Sequence, residues 1–161
     1  MNLVITMSSR HGAGASTIAE ELSEKLDIPV FDRAYIESGI QGGDFSQEAE
    51  FVKELAKEPC IILGRCTPEI LREHPNVFNI YLRADKEDRI ERVMDKADLG
   101  YEDAKAQVEK NDRQRAEFNV EHTGKVWGDV SNFHMIFDTS LLGIENCAGI
   151  LIKYFEKVDL L

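Results

Sequence analysis

The chain has 161 residues, 43% of them hydrophobic and 30% charged, a balance typical of one globular domain with a buried core. Its net charge of −11 argues against a nucleic-acid polymer as partner, because phosphate backbones are bound by clustered lysines and arginines. No apolar run approaches the roughly 20 residues of a membrane span, and the N-terminus lacks a basic signal-peptide start. We therefore expect a cytoplasmic protein with no membrane partner and leave its oligomeric state open.

The cysteines and histidines do not predict a zinc site. The three cysteines are odd in number and lack metal-site spacing, and the four histidines show no i, i+4 pair. We expect the thiols to be reduced and structural, and the imidazoles to be ordinary surface or core groups. These residues are Cys60, Cys66 and Cys147, and His11, His74, His122 and His134.

The segment ITMSSRHGAGASTIAEEL passes from a short apolar run through glycines and small residues to helical spacing. Aligned with the phosphate-loop pattern GxxxxGK[ST], it has Ser9 at the first glycine and Gly14 at the second. Ala15 then stands at the lysine, and Ser16 at the hydroxyl that reaches magnesium. The segment therefore predicts a phosphate loop without its lysine.

Backbone N–H groups can supply most of this predicted site. Gly12 and Gly14 permit conformations that turn successive N–H groups toward one point, and a helix beginning near Ala15 adds its positive end. ATP is the predicted ligand of Gly12, Ala13, Gly14, Ala15, Ser16 and Thr17.

Two alternatives compete for the same loop. One is a glycine-rich turn that binds no ligand. The other is the dinucleotide pattern GxGxxG, which Gly12 and Gly14 fit, with Asp32 as a ribose-binding carboxylate. Thr17 stands where that pattern needs its last small residue, so the pair Ser16 and Thr17 suits phosphate and magnesium better.

Apolar strand patterns alternate with helical ones along the chain. Each helical pattern carries an apolar stripe, as in Ile18, Leu22 and Leu26, or in the closing stripe from Ile144 to Val158 that includes Tyr154. This alternation predicts a three-layer α/β/α fold with a parallel sheet between helices. The predicted strands are LVITM (3–7), PVF (29–31), CIIL (60–63), VFNIYL (77–82) and FHMIF (133–137).

Residues 98–131 interrupt the alternation with a long polar segment. Its sequence predicts a helix around residues 101–118, followed by the glycine-bearing loop EHTGKVWGD, where a mobile flap could lie. Within it, Arg113 and Arg115 flank Gln114. Planar cations of this kind suit a transferring phosphoryl group, whereas the alternative is a solvated surface with carboxylate partners.

Ligands of parallel α/β sheets bind beyond the carboxyl ends of the strands. Asp32 and Arg33 follow the second predicted strand, and Arg65 follows the third. We predict that Asp32 helps Ser16 to hold a metal or orients an acceptor hydroxyl, and that the two arginines bind the acceptor.

Four segments of the chain carry a family likeness: GAGASTIAEELSEKLDIPVFDR, CIILGRC, NVFNIYLRADKEDRIERVM and TGKVWGDVSNFHMIFDTSLLGIE. Through them the chain resembles the cytidylate kinase-like family of P-loop nucleoside monophosphate kinases. The resemblance implies five parallel strands, an acceptor lid at about residues 36–58 and a second lid at about 98–131. It also implies that Arg65 holds the acceptor phosphate and that residues 138–143 lie near the adenine.

Two residues depart from this family pattern. Ala15 replaces the loop lysine of many nucleotide kinases, although the branch most similar to this chain often has a small residue there. Cys66 replaces the aspartate that follows the Gly-Arg pair in true cytidylate kinases.

These observations predict one P-loop kinase-like domain over residues 1–161. Its expected activity is transfer of the γ-phosphoryl group of Mg²⁺-bound ATP to a small acceptor, a nucleoside monophosphate such as CMP. Arg113 and Arg115, with Arg10 as a secondary source, are predicted to supply the charge missing at Ala15. The alternative function is a non-catalytic nucleotide-binding module.

Overall fold

A computed structural model describes residues 2–160 and contains one five-stranded sheet in the order β2-β3-β1-β4-β5. Every neighbouring pair of strands is parallel, which confirms the predicted architecture. The central strand β1 pairs on both sides, with Val4 opposite Cys60 of β3 and Val77 of β4. The strands are β1 (Val4–Ser9), β2 (Val30–Phe31), β3 (Cys60–Ile62), β4 (Val77–Arg83) and β5 (Met135–Asp138).

Eight α-helices within residues 2–160 surround this sheet. Their ends follow local capping chemistry: the Asp32 carboxylate accepts a hydrogen bond from the Tyr35 N–H at 2.9 Å, and Asp44 forms a capping box with Gln47. The helices are α1 (Ala15–Leu26), α2 (Arg33–Ile40), α3 (Phe45–Leu55), α4 (Thr67–Ile70), α5 (Lys86–Ala97), α6 (Tyr101–Thr123), α7 (Thr139–Leu142) and α8 (Ile144–Lys157).

The core lies on both faces of the sheet because successive residues of a strand point to opposite sides. On one face, Ile5 and Met7 of β1 pack with the buried residues of α1 and α8. On the other face, Val4 packs with Ile36 of α2 and Val52 of α3. Both faces of β1 are therefore buried, and its carboxyl end carries the glycine loop out of the core.

Two local predictions need correction. The closing stripe is narrower than predicted: Tyr154 and Val158 are exposed, because α8 meets the sheet mainly through residues that include Cys147 and Leu151. The polar segment forms one helix, α6, which continues to residue 123 instead of ending near 118.

Helix α6 packs against α5, with Ala104 and Val108 buried between them. Gly124, in the left-handed conformation, ends the helix. Within residues 2–160, no helix combines the length and apolar character needed to cross a membrane.

Candidate functional site

The glycine loop joins β1 to α1, and two of its positions require glycine. Gly12 and Gly14 have φ angles of 83° and 99°, in the left-handed region that side chains disfavour. A Cβ atom at Gly12 would lie 2.8 Å from the backbone oxygen of Arg89, and one at Gly14 would lie 2.5 Å from Ile144. Both the backbone path and the surrounding packing therefore select glycine.

The loop presents several backbone N–H groups that make no hydrogen bond to residues 2–160. Three other N–H groups of the loop already form hydrogen bonds within the protein. That of Arg10 donates to the Leu82 oxygen, that of His11 to Asp112 Oδ1, and that of Ala13 to the Arg10 oxygen. The unused groups surround the positive end of α1, an arrangement suited to anionic oxygens. They belong to Gly12, Gly14, Ala15, Ser16 and Thr17.

Two arginines of α5 hold the loop from behind through its carbonyl groups. Arg89 Nη1 donates to the His11 oxygen at 3.2 Å and to Asp112 Oδ2 at 2.7 Å, and Arg92 Nη1 donates to the Gly12 oxygen at 3.1 Å. Arg89 is buried, so it belongs to the loop's support and not to a solvated helix surface. The carbonyl groups of His11 and Gly12 are therefore held by α5.

Helix α6 brings Arg115, and not Arg113, to the loop. Arg115 Nη1 donates to the Ser9 oxygen at 2.6 Å, and its Nη2 lies 3.2 Å from His11 Nδ1. Arg113 is exposed. Because α6 is continuous here, residues two apart point in directions that differ by about 200°, and only one of them can face the loop.

A cavity of about 850 Å³ opens beyond the carboxyl ends of β1, β2 and β3. The structure thus brings together predicted donor-site and acceptor-site residues around one space. Among the lining residues are Ala15, Ser16, Asp32, Arg33, Arg65, Cys66 and Arg115.

A buried carboxylate that sequence reasoning missed holds the two arginines predicted to bind the acceptor. Glu48 of α3 forms ion pairs with both Arg33 and Arg65, the latter at 3.1 Å between Oε2 and Nη2. The Arg65 guanidinium also lies 3.7 Å from the centre of the Phe118 ring. Two guanidinium groups and one carboxylate leave one net positive charge beside the cavity. The sequence did contain one indication that Glu48 is buried. Glu48 lies one helical turn before Val52 and therefore shares its buried face of α3.

The two predicted lid segments contact each other next to Arg65, which lies against Phe118. Phe45, at the start of α3, stacks on His122 of α6 with ring centres 4.4 Å apart. Phe45 also packs edge-on against Phe118 at 5.7 Å. The contacts join the acceptor-lid segment to α6.

The Arg10 side chain contacts an aromatic ring after α6. Its guanidinium stacks over the Trp127 ring at 4.5 Å, and Trp127 packs edge-on against Tyr81 with ring centres 6.0 Å apart. Trp127 therefore anchors the loop after α6, and Arg10 takes part in that anchor. Its direct role toward phosphate stays a prediction.

Cys66 lies in the cavity wall as a protonated thiol. Burial raises its pKa to about 11, and the nearby Glu48 carboxylate acts in the same direction. The side chain therefore adds a small neutral surface at the position where the family pattern has an acid.

Known proteins are similar to this chain in sequence and in fold. The family model described as "Cytidylate kinase-like family" matches residues 40–141. A cytidylate kinase of Pyrobaculum islandicum is 28% identical over 178 residues, which cover 97% of this chain and 94% of the relative.

Two solved structures share the fold over nearly their whole lengths. An uncharacterized protein from Eubacterium ventriosum superposes with a TM-score of 0.88 at 21% identity, over 98% of this chain and 99% of that one. A shikimate kinase from Bacteroides thetaiotaomicron gives a TM-score of 0.63 at 16% identity, over 96% and 98% of the two chains.

Proposed function

Because the chain belongs to the cytidylate kinase-like family, we propose that it transfers the γ-phosphoryl group of ATP to a nucleoside monophosphate such as CMP. One observation carries this proposal. Ala15 and Ser16 at the end of the glycine loop, Arg115, and the two arginines held by Glu48, Arg33 and Arg65, all line the same cavity of about 850 Å³. Donor and acceptor phosphates bound at these two groups would meet inside it.

On the donor side, the free N–H groups between residues 12 and 17 bind the phosphates of ATP. Ser16 and Asp32 would hold Mg²⁺, since both line the cavity and both offer the oxygen ligands that this cation prefers. Bound magnesium supplies charge neutralisation on the phosphates. A cation held by Ser16 and Asp32 would take its other oxygen ligands from water and nucleotide.

Arg115 provides the positive charge that Ala15 cannot. Its guanidinium is held at the loop by the Ser9 oxygen, and Arg115 lines the same cavity as Ala15 and Ser16. Charge shifts among the phosphate oxygens during transfer, and a fixed cation in a site shielded from water stabilises that charge. Arg113 has no comparable position, so we assign the catalytic role to Arg115.

On the acceptor side, Arg33 and Arg65 bind the monophosphate. Glu48 holds both guanidinium groups in place, and Phe118 covers Arg65. An acceptor oxygen forms the new bond to the γ-phosphorus while the bond from that phosphorus to the bridging oxygen of ADP breaks. The protein contributes positioning, charge and exclusion of water.

A second candidate is a non-catalytic nucleotide-binding module, which Ala15 at the lysine position favours. A coupled assay of ADP release from Mg-ATP, with CMP, dCMP, UMP, AMP and shikimate as acceptors, separates the two. We expect turnover with a pyrimidine monophosphate. If calorimetry shows nucleotide binding but no acceptor is turned over, the protein is a non-catalytic nucleotide-binding module. If only shikimate is turned over, the acceptor is a small alcohol and not a nucleoside monophosphate.

A further inference from the structure

His11 connects the glycine loop to α6 through its backbone and both ring nitrogens. Its N–H donates to Asp112 Oδ1 at 2.9 Å. Ring atom Nδ1 lies 3.2 Å from Arg115 Nη2, and ring atom Nε2 lies 3.2 Å from the amide nitrogen of Gln107. The imidazole is thus held between two side chains that are eight residues apart on one helix.

The contact with Arg115 determines where the imidazole carries its proton. A guanidinium group can only donate, so His11 Nδ1 must accept with its lone pair. The neutral ring then carries its proton on Nε2. Rotation of the Gln107 amide by half a turn brings its oxygen to accept that proton.

We propose that His11 is a positioning residue for Arg115 and that protonation of its ring releases this arginine. The inference rests on the proposed phosphotransferase function, in which Arg115 supplies the missing loop charge. A proton on Nδ1 removes the acceptor and places two cations against each other, so the Arg115 side chain loses one of its two anchors. The other anchor is the Ser9 oxygen, which accepts a hydrogen bond from Arg115 Nη1 and not from Nη2.

Charged groups from both neighbouring helices influence this ring electrostatically. Arg89 and Lys96 come from α5, and Asp112 and Arg115 come from α6. Burial lowers the pKa of His11 below its ordinary value of 6.5; the three cations act in the same direction, and Asp112 opposes them. The ring therefore stays neutral at pH 7 and becomes charged only as the pH falls below 6.5.

Two substitutions separate hydrogen bonding from titration. In His11→Asn, the side-chain oxygen can accept from Arg115 but does not titrate, whereas His11→Leu offers no acceptor. We expect His11→Asn to keep most of the activity at pH 7.5 and His11→Leu to lower kcat about 10-fold or more, as for a lost hydrogen bond to a charged group. His74→Asn, remote from the loop, is the matched control.

The pH profile provides the readout that a purely structural role would not change. Acceptor phosphates also titrate near pH 6, but that limb is common to all variants. The parent should lose kcat more steeply on acidification than His11→Asn. The inference is overturned if the two profiles coincide, or if His11→Asn loses as much kcat as His11→Leu.

A measurement without substrate separates this inference from the proposed function. Nitrogen-15 NMR of the parent should show the neutral Nε2–H form of His11, and Arg115→Ala should raise the pKa of His11 toward 6.5. If the pKa of His11 is unchanged in Arg115→Ala, the contact between the two side chains is refuted even if the enzyme is active. A shifted pKa in a protein that turns over no acceptor would refute the catalytic role while retaining the contact.

Discussion

Replacing Asp112 by Ala should be among the most destabilising single changes near the loop. Its carboxylate pairs with Arg89 at 2.7 Å, and the two side chains are only 15% and 8% exposed. The other carboxylate oxygen accepts the His11 N–H at 2.9 Å. The substitution therefore leaves a buried guanidinium without its counterion and a loop N–H group without its acceptor.

Breaking one partner of a buried pair costs about 3 to 5 kcal/mol, a large part of the roughly 5 to 15 kcal/mol that stabilises an ordinary domain. For a chain of this length, that corresponds to a fall in Tm of about 6 to 20 °C. Urea unfolding followed by circular dichroism, together with a thermal scan, would measure both quantities for Asp112→Ala. The double variant Arg89→Met with Asp112→Leu should recover part of the loss, because it removes both charges together.

The chain offers a matched control on the same two helices. Lys86 of α5 and Glu109 of α6 are also 2.7 Å apart, but both side chains are nearly half exposed. Solvent screens that pair, so Glu109→Ala should change the free energy of unfolding very little. If Asp112→Ala and Glu109→Ala proved equally mild, the argument from burial would be wrong.

Four further results are expected. Gly14→Val should abolish the calorimetric signal of ATP binding, because its φ of 99° and the contact with Ile144 exclude a side chain; normal binding would reduce the loop to a turn. Arg65→Ala should raise the acceptor KM about 10- to 150-fold with unchanged ATP affinity, as expected for a lost charged hydrogen bond, and equal weakening of both ligands would remove its assignment. Arg115→Ala should cut kcat by at least about 100-fold, whereas Arg113→Ala, at the neighbouring exposed arginine, should have little effect. If Arg113→Ala caused the larger loss of kcat, the catalytic role would belong to Arg113. Alkylation of Cys66 should accelerate as the pH rises toward about 11, since burial disfavours the thiolate, and rapid labelling at pH 8 would contradict that.

Local pattern was enough to predict the sheet and the loop. Each predicted strand overlaps an observed one, because short apolar runs between polar turns have few other ways to be buried. Gly12 and Gly14 were singled out because glycine tolerates the positive φ that a tight strand-to-helix turn needs. These properties depend on neighbouring residues, so the sequence itself carries them.

The partners of the charged side chains depended on how the helices pack. The sequence predicted both Arg113 and Arg115 as sources of charge at the loop. The packing of α6 on α5 brings only Arg115 to it, where Arg115 contacts Ser9 across 106 residues of chain. Glu48 became a buried counterion only because α2, α3 and the end of β3 converge on it. His11, expected to be an ordinary histidine, became a hydrogen-bond acceptor for the same reason: the chemistry of a titratable group depends on neighbours that are close in space and distant along the chain.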